Sequence, residues 1–365
     1  MFGERLKLAR TRAGLSLRDL ADRLDNKVSA QALGKYENDK MHPSSSVLMA
    51  LGKALDVDLD YLTSSQVTEL IDVEFRKDAS TKAKDNAWVR AAVLDNIERY
   101  LSIEAVLELD SEAHTLEDFH SNAQNPFERA EELAEKLRRV WQLGTDPIPG
   151  ITRLLEDKGL KVLALDMPNS FSGLTCQVRR ADAKPSLPVI IVSTSFSIER
   201  RRFTLCHELA HRVLGKTMDG AEGERVMHRF ASAFLLPKSS MEAEFGAFRH
   251  ALAYQEIMRV KHFYGVSAAA LIYRLKDLNI IRSNYMTYLF QTIGRTWRTD
   301  EPDKLNPQMG SARAEKPERF ERLVYRALAE RLISLPKGSA LLKMPMHDVE
   351  IATRGPTISD ANRSQ

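Results

Sequence analysis

The order of apolar and polar positions divides the chain into a helical first part and a mixed second part. Over residues 1–63, leucines and alanines recur at helical spacing, and the stretches "AGLS" and "HPSSS" carry turn signals. Two longer helical patterns, 91–109 and 127–143, follow a polar stretch at 76–86, and the second of them stops at the glycine and prolines of "GTDPIPG". We therefore predict a compact helical bundle, a linker at 76–86 and a helical connector.

The period of the pattern changes after residue 150. Three short apolar runs, "LKVLALDM", "GLTCQVR" and "PVIIVSTS", predict strands. A helix is expected to begin near Ser197, and further helical patterns lie at 224–236, 247–264 and 315–334. The predicted fold class is α+β, mostly helical, with a short sheet. The expected domains are an N-terminal helix bundle at 1–65, a linker and helical connector at 66–145, a small α+β domain at 146–285, and a C-terminal helical extension with a loose tail at 286–365.

Composition bears on the protein's affinity for DNA and on its expected cellular compartment. The 365 residues carry a net charge of only +3, so affinity for DNA would have to come from a local basic face. Two cysteines, Cys176 and Cys206, are too few for a disulfide framework and fit a reducing cytoplasm. The first residues, "MFGERLKLAR", lack the apolar run of a signal peptide, and no apolar stretch approaches about 18 residues. We expect a cytoplasmic protein that does not span a membrane.

Two short amphipathic patterns in the N-terminal bundle, "LRDLADRL" and "SAQALGKYEN", are separated by a turn, with Ser16 and Ser29 placed as N-caps. This arrangement predicts a helix-turn-helix, whose second helix enters the major groove of DNA. The residues expected at the DNA are Ala30, Gln31, Lys35, Asn38 and Arg10. A glutamine amide can pair with adenine, a small alanine permits close approach, and the basic side chains can reach phosphate. The alternative is a helical bundle that binds only protein.

This segment resembles a phage-repressor (XRE-type) helix-turn-helix. The resemblance is carried by "RLKLARTRAGLSLRDLADRL", "VSAQALGKYEN" and "LMALGKALDVDLDYL", over about 60 residues in the family's order. Gly34 departs from the family pattern and lowers the helix propensity of the second helix. The resemblance implies binding to double-stranded operator DNA, and it is compatible with a homodimer.

The stretch "FTLCHELAHRVLG" places His207 and His211 four residues apart, so both imidazoles project from one face of the predicted helix. Two such imidazoles can hold two corners of a zinc tetrahedron, and Glu208 beside them could act as a general base. The third ligand should come from the following segment. Glu224 is a candidate there, and His228 and Glu222 compete with it.

The same region resembles the ImmA/IrrE zinc metallo-endopeptidases. The resembling stretches run from 140 to 281 and are "WQLGTDPIP", "LLEDKGLKVLALD", "FTLCHELAHRVLG", "GERVMHRFASAFLLP" and "YGVSAAALIYRLKDLNII". The resemblance implies a zincin-like fold, in which one Zn²⁺ per chain is held by His207, His211 and Glu224, with Glu208 as the catalytic base. His228 stands where the family commonly has Asn or Asp.

The resemblance also bears on substrate and partners. Such peptidases cut repressor-like proteins, and the fused architecture often serves as regulator or antitoxin of a two-gene toxin–antitoxin or phage-related module. A substrate strand could lie along the predicted strand edge at 171–178, where Gly173 allows close approach. The expected partners are operator DNA and a protein substrate, repressor or cognate toxin. The alternative function is a non-proteolytic DNA-binding repressor or antitoxin whose zinc site is structural or vestigial.

The basic run at 199–202 is expected to be solvated.

Overall fold

The computed structural model describes most of the chain in two compact units. The described residues are 2–57, 59–63, 67–71, 83–109, 116, 119–168, 171–180, 185–215, 220–297, 299–306 and 314–355. The first unit comprises Met1–Ala113, Cys176–Pro188 and Glu318–Gln365, and the second comprises His114–Thr175 and Val189–Pro317.

The fold is mainly helical with one small sheet, as the sequence predicted. The helices are α1 Phe2–Arg12, α2 Leu17–Arg23, α3 Ala30–Glu37, α4 Ser45–Leu55, α5 Leu59–Thr63, α6 Ala83–Val106, α7 Pro126–Val140, α8 Ile151–Asp157, α9 Ile198–Leu214, α10 Gly220–Leu235, α11 Lys238–Phe245, α12 Tyr254–Tyr264, α13 Ala268–Asp277, α14 Ser283–Gln291, α15 Arg319–Ala329, α16 Leu335–Leu342 and α17 Met346–Arg354. The strands are β1 Val67–Ile71, β2 Lys161–Leu165, β3 Gly173–Arg180 and β4 Leu187–Ser193, in the order β1-β3-β4-β2. No helix in the described ranges is long and apolar enough to cross a membrane.

Side-chain caps define the helix-turn-helix at the start of the first unit. The Ser16 hydroxyl accepts a hydrogen bond from the Asp19 backbone N–H at 3.1 Å, and the Asp19 carboxylate accepts one from the Ser16 N–H at 2.8 Å. Ser29 caps α3 by accepting from the Ala32 N–H at 3.2 Å. Both predicted N-caps are confirmed. Between the helices Asp25 and Asn26 take φ values of 53° and 55°, a left-handed conformation that these residue types tolerate better than most.

The helix bundle of the first unit is joined to α6 by a buried ion pair. Arg5 of α1 is 4% exposed and pairs with Glu98 of α6. Its guanidinium also donates to the carbonyls of Tyr61 at 2.7 Å and Val67 at 2.8 Å. The C-terminal helices α15 to α17 also pack near the C-terminal half of α6, where Tyr100 and Ile103 share an apolar cluster with Leu323, Val324 and Leu341. The helix-turn-helix therefore shares one folded unit with α6 and the three C-terminal helices.

Two expectations about the connector at 66–145 are corrected. Residues 67–71 form β1, which pairs antiparallel with the second half of β3, Leu70 opposite Val178. The five residues "VTELI" join a sheet only through a partner far away in the sequence, and their own pattern does not show this. Of the expected linker at 76–86, residues 83–86 form the first turn of α6, and the remainder lies outside the described residues, as does the tail at 356–365.

The second unit contains β2, the first residues of β3 and most of β4, together with the helices that pack on them. Strands β2 and β4 pair in parallel, Val162 opposite Ile190, and all seven residues of β4 are buried. Such a strand, buried on both faces, is typical of a parallel pair covered by helices. Four residues separate β4 from α9, and the last of them, Ser197, caps the helix, so the predicted start is confirmed. Helix α10 packs against α7 and α9.

The helix expected at 247–264 is shorter than its pattern predicts. Helix α12 begins only at Tyr254, and a separate helix, α11, ends at Gly246. Residues 247–253 run without helical structure because their backbone bonds elsewhere: the Arg249 N–H donates to the Ile280 carbonyl at 2.7 Å and the Leu252 N–H to the Tyr285 hydroxyl at 2.8 Å. These contacts outweigh the helix propensity of the local alanines.

Candidate metal centre and DNA-facing helix

One face of helix α9 packs into the core, and another carries histidines that lie beside further residues able to bind a metal ion. Leu205, Cys206, Leu209 and Ala210 are fully buried and anchor the helix in the core of the second unit. Burial raises the pKa of the Cys206 thiol, whose side chain is fully buried in this core. The prediction that Cys206 is a small buried hydrophobe is confirmed.

Three side chains expected as ligands converge in space. The Nε2 atoms of His207 and His211 lie 3.2 Å apart. The Glu224 carboxylate of α10 lies beside both rings, with Oε2 3.3 Å from His207 Nε2 and Oε1 4.0 Å from His211 Nε2. Ligand atoms bonded at about 2.0–2.1 Å to a tetrahedral zinc are about 3.3 Å apart, so the spacing and the donor types suit this ion.

His228 lies at the same place and is a fourth candidate ligand. Its ring centroid is 4.8 Å from that of His207 and 5.6 Å from that of Phe203. Ligand atoms of His207, Glu224 and His228 all lie within 4.8 Å of one another. Two ligand sets thus share His207 and Glu224 and differ in whether His211 or His228 completes them. Glu222, the other candidate from the sequence, is exposed in the first turn of α10.

Glu208 and Gly173 meet beside this cluster. Glu208 is only 4% exposed, and its Oε1 would lie 3.4 Å from a Cβ atom built on Gly173. The same Cβ would be 2.4 Å from the Thr204 methyl and 2.9 Å from the Ile191 carbonyl, closer than real atoms approach. Glycine at this position therefore lets the start of β3 lie directly against α9. The close approach expected at Gly173 is made by the chain's own Thr204.

A buried ion pair that the sequence did not reveal connects α9 to neighbouring segments. Arg202 and Glu315 are 3% and 0% exposed and form a salt bridge. Arg202 also donates to the carbonyls of Gly265 at 2.8 Å and Ile148 at 2.6 Å. The basic run at 199–202 is therefore not solvated throughout, since Arg202 fixes α9 to neighbouring segments. No local signal marks this pair, because its members are 113 residues apart.

The four residues of α3 and its C-cap that were expected at DNA differ in exposure and in their contacts. Gln31 and Lys35 are exposed, and Ala30 is half-buried at the first position of the helix. Asn38 is the C-cap, and its amide donates to the Gly34 carbonyl at 2.6 Å.

Arg10, which was expected to contact DNA phosphate, instead makes its hydrogen bonds within the helix bundle. Its guanidinium donates to both oxygens of Glu37, at 2.6 and 3.0 Å, and to the Leu15 carbonyl at 2.7 Å. These three bonds tie α1 to the end of α3, so the structure gives Arg10 a role inside the bundle.

Two regions of the chain match known families. Residues 155–276 match a peptidase family model described as the IrrE N-terminal-like domain, and residues 6–62 match a helix-turn-helix family model. Both resemblances drawn from the sequence are confirmed over these residues. The chain thus combines a helix-turn-helix regulator domain with a peptidase-like domain of the IrrE N-terminal type.

A curated relative matches the first of these domains. The chain is 44% identical over 62 residues to the "SPbeta prophage-derived uncharacterized HTH-type transcriptional regulator YonR" of Bacillus subtilis (strain 168). The match covers 17% of this chain and 56% of the relative, so the chain spans about half the length of that protein.

Proposed function

We propose that the protein is a DNA-binding transcriptional regulator with zinc metallo-endopeptidase activity. The observation that carries the enzymatic half is the convergence of His207, His211 and Glu224, with their ligand atoms 3.2–4.0 Å apart, next to the buried Glu208. The peptidase-family match over residues 155–276 supports the same assignment. Its substrate is a repressor-like protein or a cognate toxin of a two-gene module.

In this proposal the two histidines and Glu224 hold the metal, and Glu208 moves the proton. When bound, Zn²⁺ supplies a Lewis acid that polarises the scissile carbonyl and acidifies water. Glu208 takes a proton from the attacking water and passes it to the leaving amine, which a carboxylate within hydrogen-bonding reach of both can do. The close contact of Gly173 with α9 keeps Glu208 against the first residue of β3. A substrate strand would run along residues 173–176 only, because the expected edge at 171–178 is already occupied by β1 from Gln177 onward.

The regulatory half rests on the helix-turn-helix match and on the exposed side chains of α3. Gln31 lies in the first turn of α3, where recognition helices contact base edges. Lys35, one turn later, is placed for phosphate contact. Because Arg10 is bonded to Glu37 and Leu15, we assign it to the stability of the domain and no longer to phosphate binding.

The test of proteolysis compares the wild-type protein with Glu208→Gln. Each is incubated with zinc, alone and with the product of a neighbouring gene, and the mixtures are analysed by mass spectrometry. We expect zinc-dependent fragments only with wild type, and their loss on chelation. Glu222→Gln, which removes an exposed carboxylate from α10, is the matched control and keeps activity. If no mixture yields a zinc-dependent fragment while Glu208→Gln still represses fully in cells, the peptidase assignment is wrong.

A non-proteolytic repressor or antitoxin is the second candidate, and the position of His228 favours it. If His228 joined His207, His211 and Glu224, the metal would have four protein ligands, as structural zinc sites do, and no open position for substrate. His228→Ala separates the two candidates. A catalytic site keeps zinc and activity in this variant, whereas a structural site loses zinc and stability.

A further inference from the structure

A large cavity of the second unit adjoins the candidate metal centre. Its volume is about 780 Å³, and its wall includes Phe203 of α9 and His228 of α10. Phe203 lies one helical turn before His207, and His228 lies one turn after Glu224. A molecule that fills the cavity therefore lies beside the ligand side chains.

Much of the cavity wall is aromatic. Phe127, Phe196, Phe203, Tyr273 and Trp297 contribute rings, drawn from α7, α9, α13 and the segments that precede α9 and follow α14. Pockets of about 300–1,000 Å³ with apolar walls and a few polar groups are typical of ligand sites. A large apolar or aromatic side chain would gain from leaving water here.

The charged groups of the wall favour a negative ligand. Both acidic residues of the wall already form ion pairs with basic residues of the chain. Asp277 accepts from Arg229 and Lys276, each at 3.2 Å, and Glu301 is 3.2 Å from Lys261. These two carboxylates are therefore largely neutralised by their basic partners.

Arg225 is one of the arginines of the wall that stack on an aromatic ring, as Arg200 does on Phe196. Its guanidinium stacks over the Phe127 ring, 5.7 Å from the centroid, and within the described part of the chain no carboxylate pairs with it. A guanidinium stacked on a ring keeps its N–H groups available at its edge. These groups can donate two parallel hydrogen bonds to one carboxylate.

We propose that this cavity holds a substrate segment in which an acidic residue stands next to a large apolar or aromatic residue. The apolar side chain lies among the rings, and the acidic one pairs with Arg225. This inference rests on the proposed peptidase function, because the metal centre beside the cavity is what would cut the bound segment. It narrows the substrate from any protein to chains that carry this pair in an accessible stretch.

The experiment measures peptide binding without cleavage. Fluorescein-labelled eight-residue peptides with a central Glu-Phe, Gln-Phe, Lys-Phe or Glu-Ala pair are titrated with zinc-loaded full-length Glu208→Gln, and fluorescence anisotropy gives Kd. We expect Glu-Phe to bind about tenfold more tightly than Gln-Phe, since a charge-assisted hydrogen bond to an exposed arginine contributes on this order. Glu-Ala is expected to bind weakly as well. Added salt should reduce the preference for Glu over Gln.

Two further variants in the Glu208→Gln background make the assignment specific. Arg225→Gln should abolish the preference for Glu over Gln, and Arg225→Glu should turn it toward Lys. Arg259→Gln removes an exposed arginine of α12 that does not line the cavity and should leave the preference intact.

Equal binding of Glu-Phe and Gln-Phe, or a preference that survives Arg225→Gln, overturns the proposal. Cleavage of a protein substrate by wild type without any acidic preference leaves the peptidase standing and refutes the pocket. If the expected preference is found but wild type yields no zinc-dependent fragment from any protein mixture, the result supports the pocket and refutes the peptidase.

Discussion

Replacement of Glu315 tests whether its buried ion pair holds the metal-binding helix in place. Glu315 is fully buried and pairs with Arg202 of α9. Its two oxygens also accept hydrogen bonds from the N–H groups of Ile151 at 3.0 Å and Thr152 at 2.7 Å, the first two residues of α8. Gly150, the N-cap of α8, has no side chain to do this, so Glu315 caps the helix from 163–164 residues away.

The expected loss of stability follows from these contacts. Breaking a buried pair by removing one partner costs about 3–5 kcal/mol, because the other charge stays buried without compensation. Glu315→Ala removes the charge and both helix-capping acceptors, so we expect a loss in this range. Glu315→Gln keeps one acceptor oxygen and a similar shape, and we expect a loss of about 2–3 kcal/mol. Either value is a large part of the about 5–15 kcal/mol by which domains are stable.

Urea unfolding followed by tryptophan fluorescence measures the change, because Trp141 and Trp297 are buried in the same unit as Glu315. Glu242→Gln is the matched control. Its carboxylate forms an exposed i,i+4 pair with Lys238, and such pairs contribute less than about 1 kcal/mol. If Glu315→Gln unfolds at the same urea concentration as Glu242→Gln, the pair does not stabilise the unit as we argue.

Further substitutions test other parts of the structure. Gly173→Ala should lower stability in the same urea assay by about 1–3 kcal/mol, because its methyl would collide with Thr204. Gly34→Ala, with only one side-chain atom 3.7 Å away, should raise the stability of the first unit by about 0.5–1 kcal/mol, measured by urea unfolding followed by circular dichroism. In binding titrations against operator variants, Gln31→Ala should relax discrimination at one base pair by about 1–3 kcal/mol. Lys35→Ala should weaken binding to every sequence and flatten the salt dependence by about one unit of slope; unchanged affinity in both variants would remove α3 as the DNA reader. Because burial raises the pKa of the Cys206 thiol, a disulfide reagent should modify it only after unfolding, and rapid labelling of the native protein would contradict its buried position.

Features that depend only on residues close together in the sequence could be predicted from the sequence alone. Ser16 and Ser29 are confirmed as caps because a capping hydroxyl bonds to a backbone N–H three residues ahead. The start of α9 near Ser197 is confirmed for the same reason. The spacing of His207 and His211 predicted their convergence because side chains at i and i+4 share a helix face.

Features that depend on distant partners were missed or placed wrongly. Strand β1 exists because it pairs with residues more than 100 positions later, and its five residues carry no pattern of their own. Residues 247–253 have helical propensity but give their backbone N–H groups to Ile280 and Tyr285. The bonds of Arg10 to Glu37 were missed, since no local pattern shows that Glu37 would lie beside it. In each case tertiary contacts outweigh the local preference.

Metal content tests the central claim most directly, because the proposed function requires zinc on a specific set of ligands. Wild type, His211→Ala and His228→Ala are purified without added chelator, and zinc is measured by inductively coupled plasma mass spectrometry. We predict about one Zn²⁺ per chain in wild type and in His228→Ala, and a large loss in His211→Ala, because His207, His211 and Glu224 form the proposed ligand set. Zinc retained by His211→Ala and lost from His228→Ala would contradict the account.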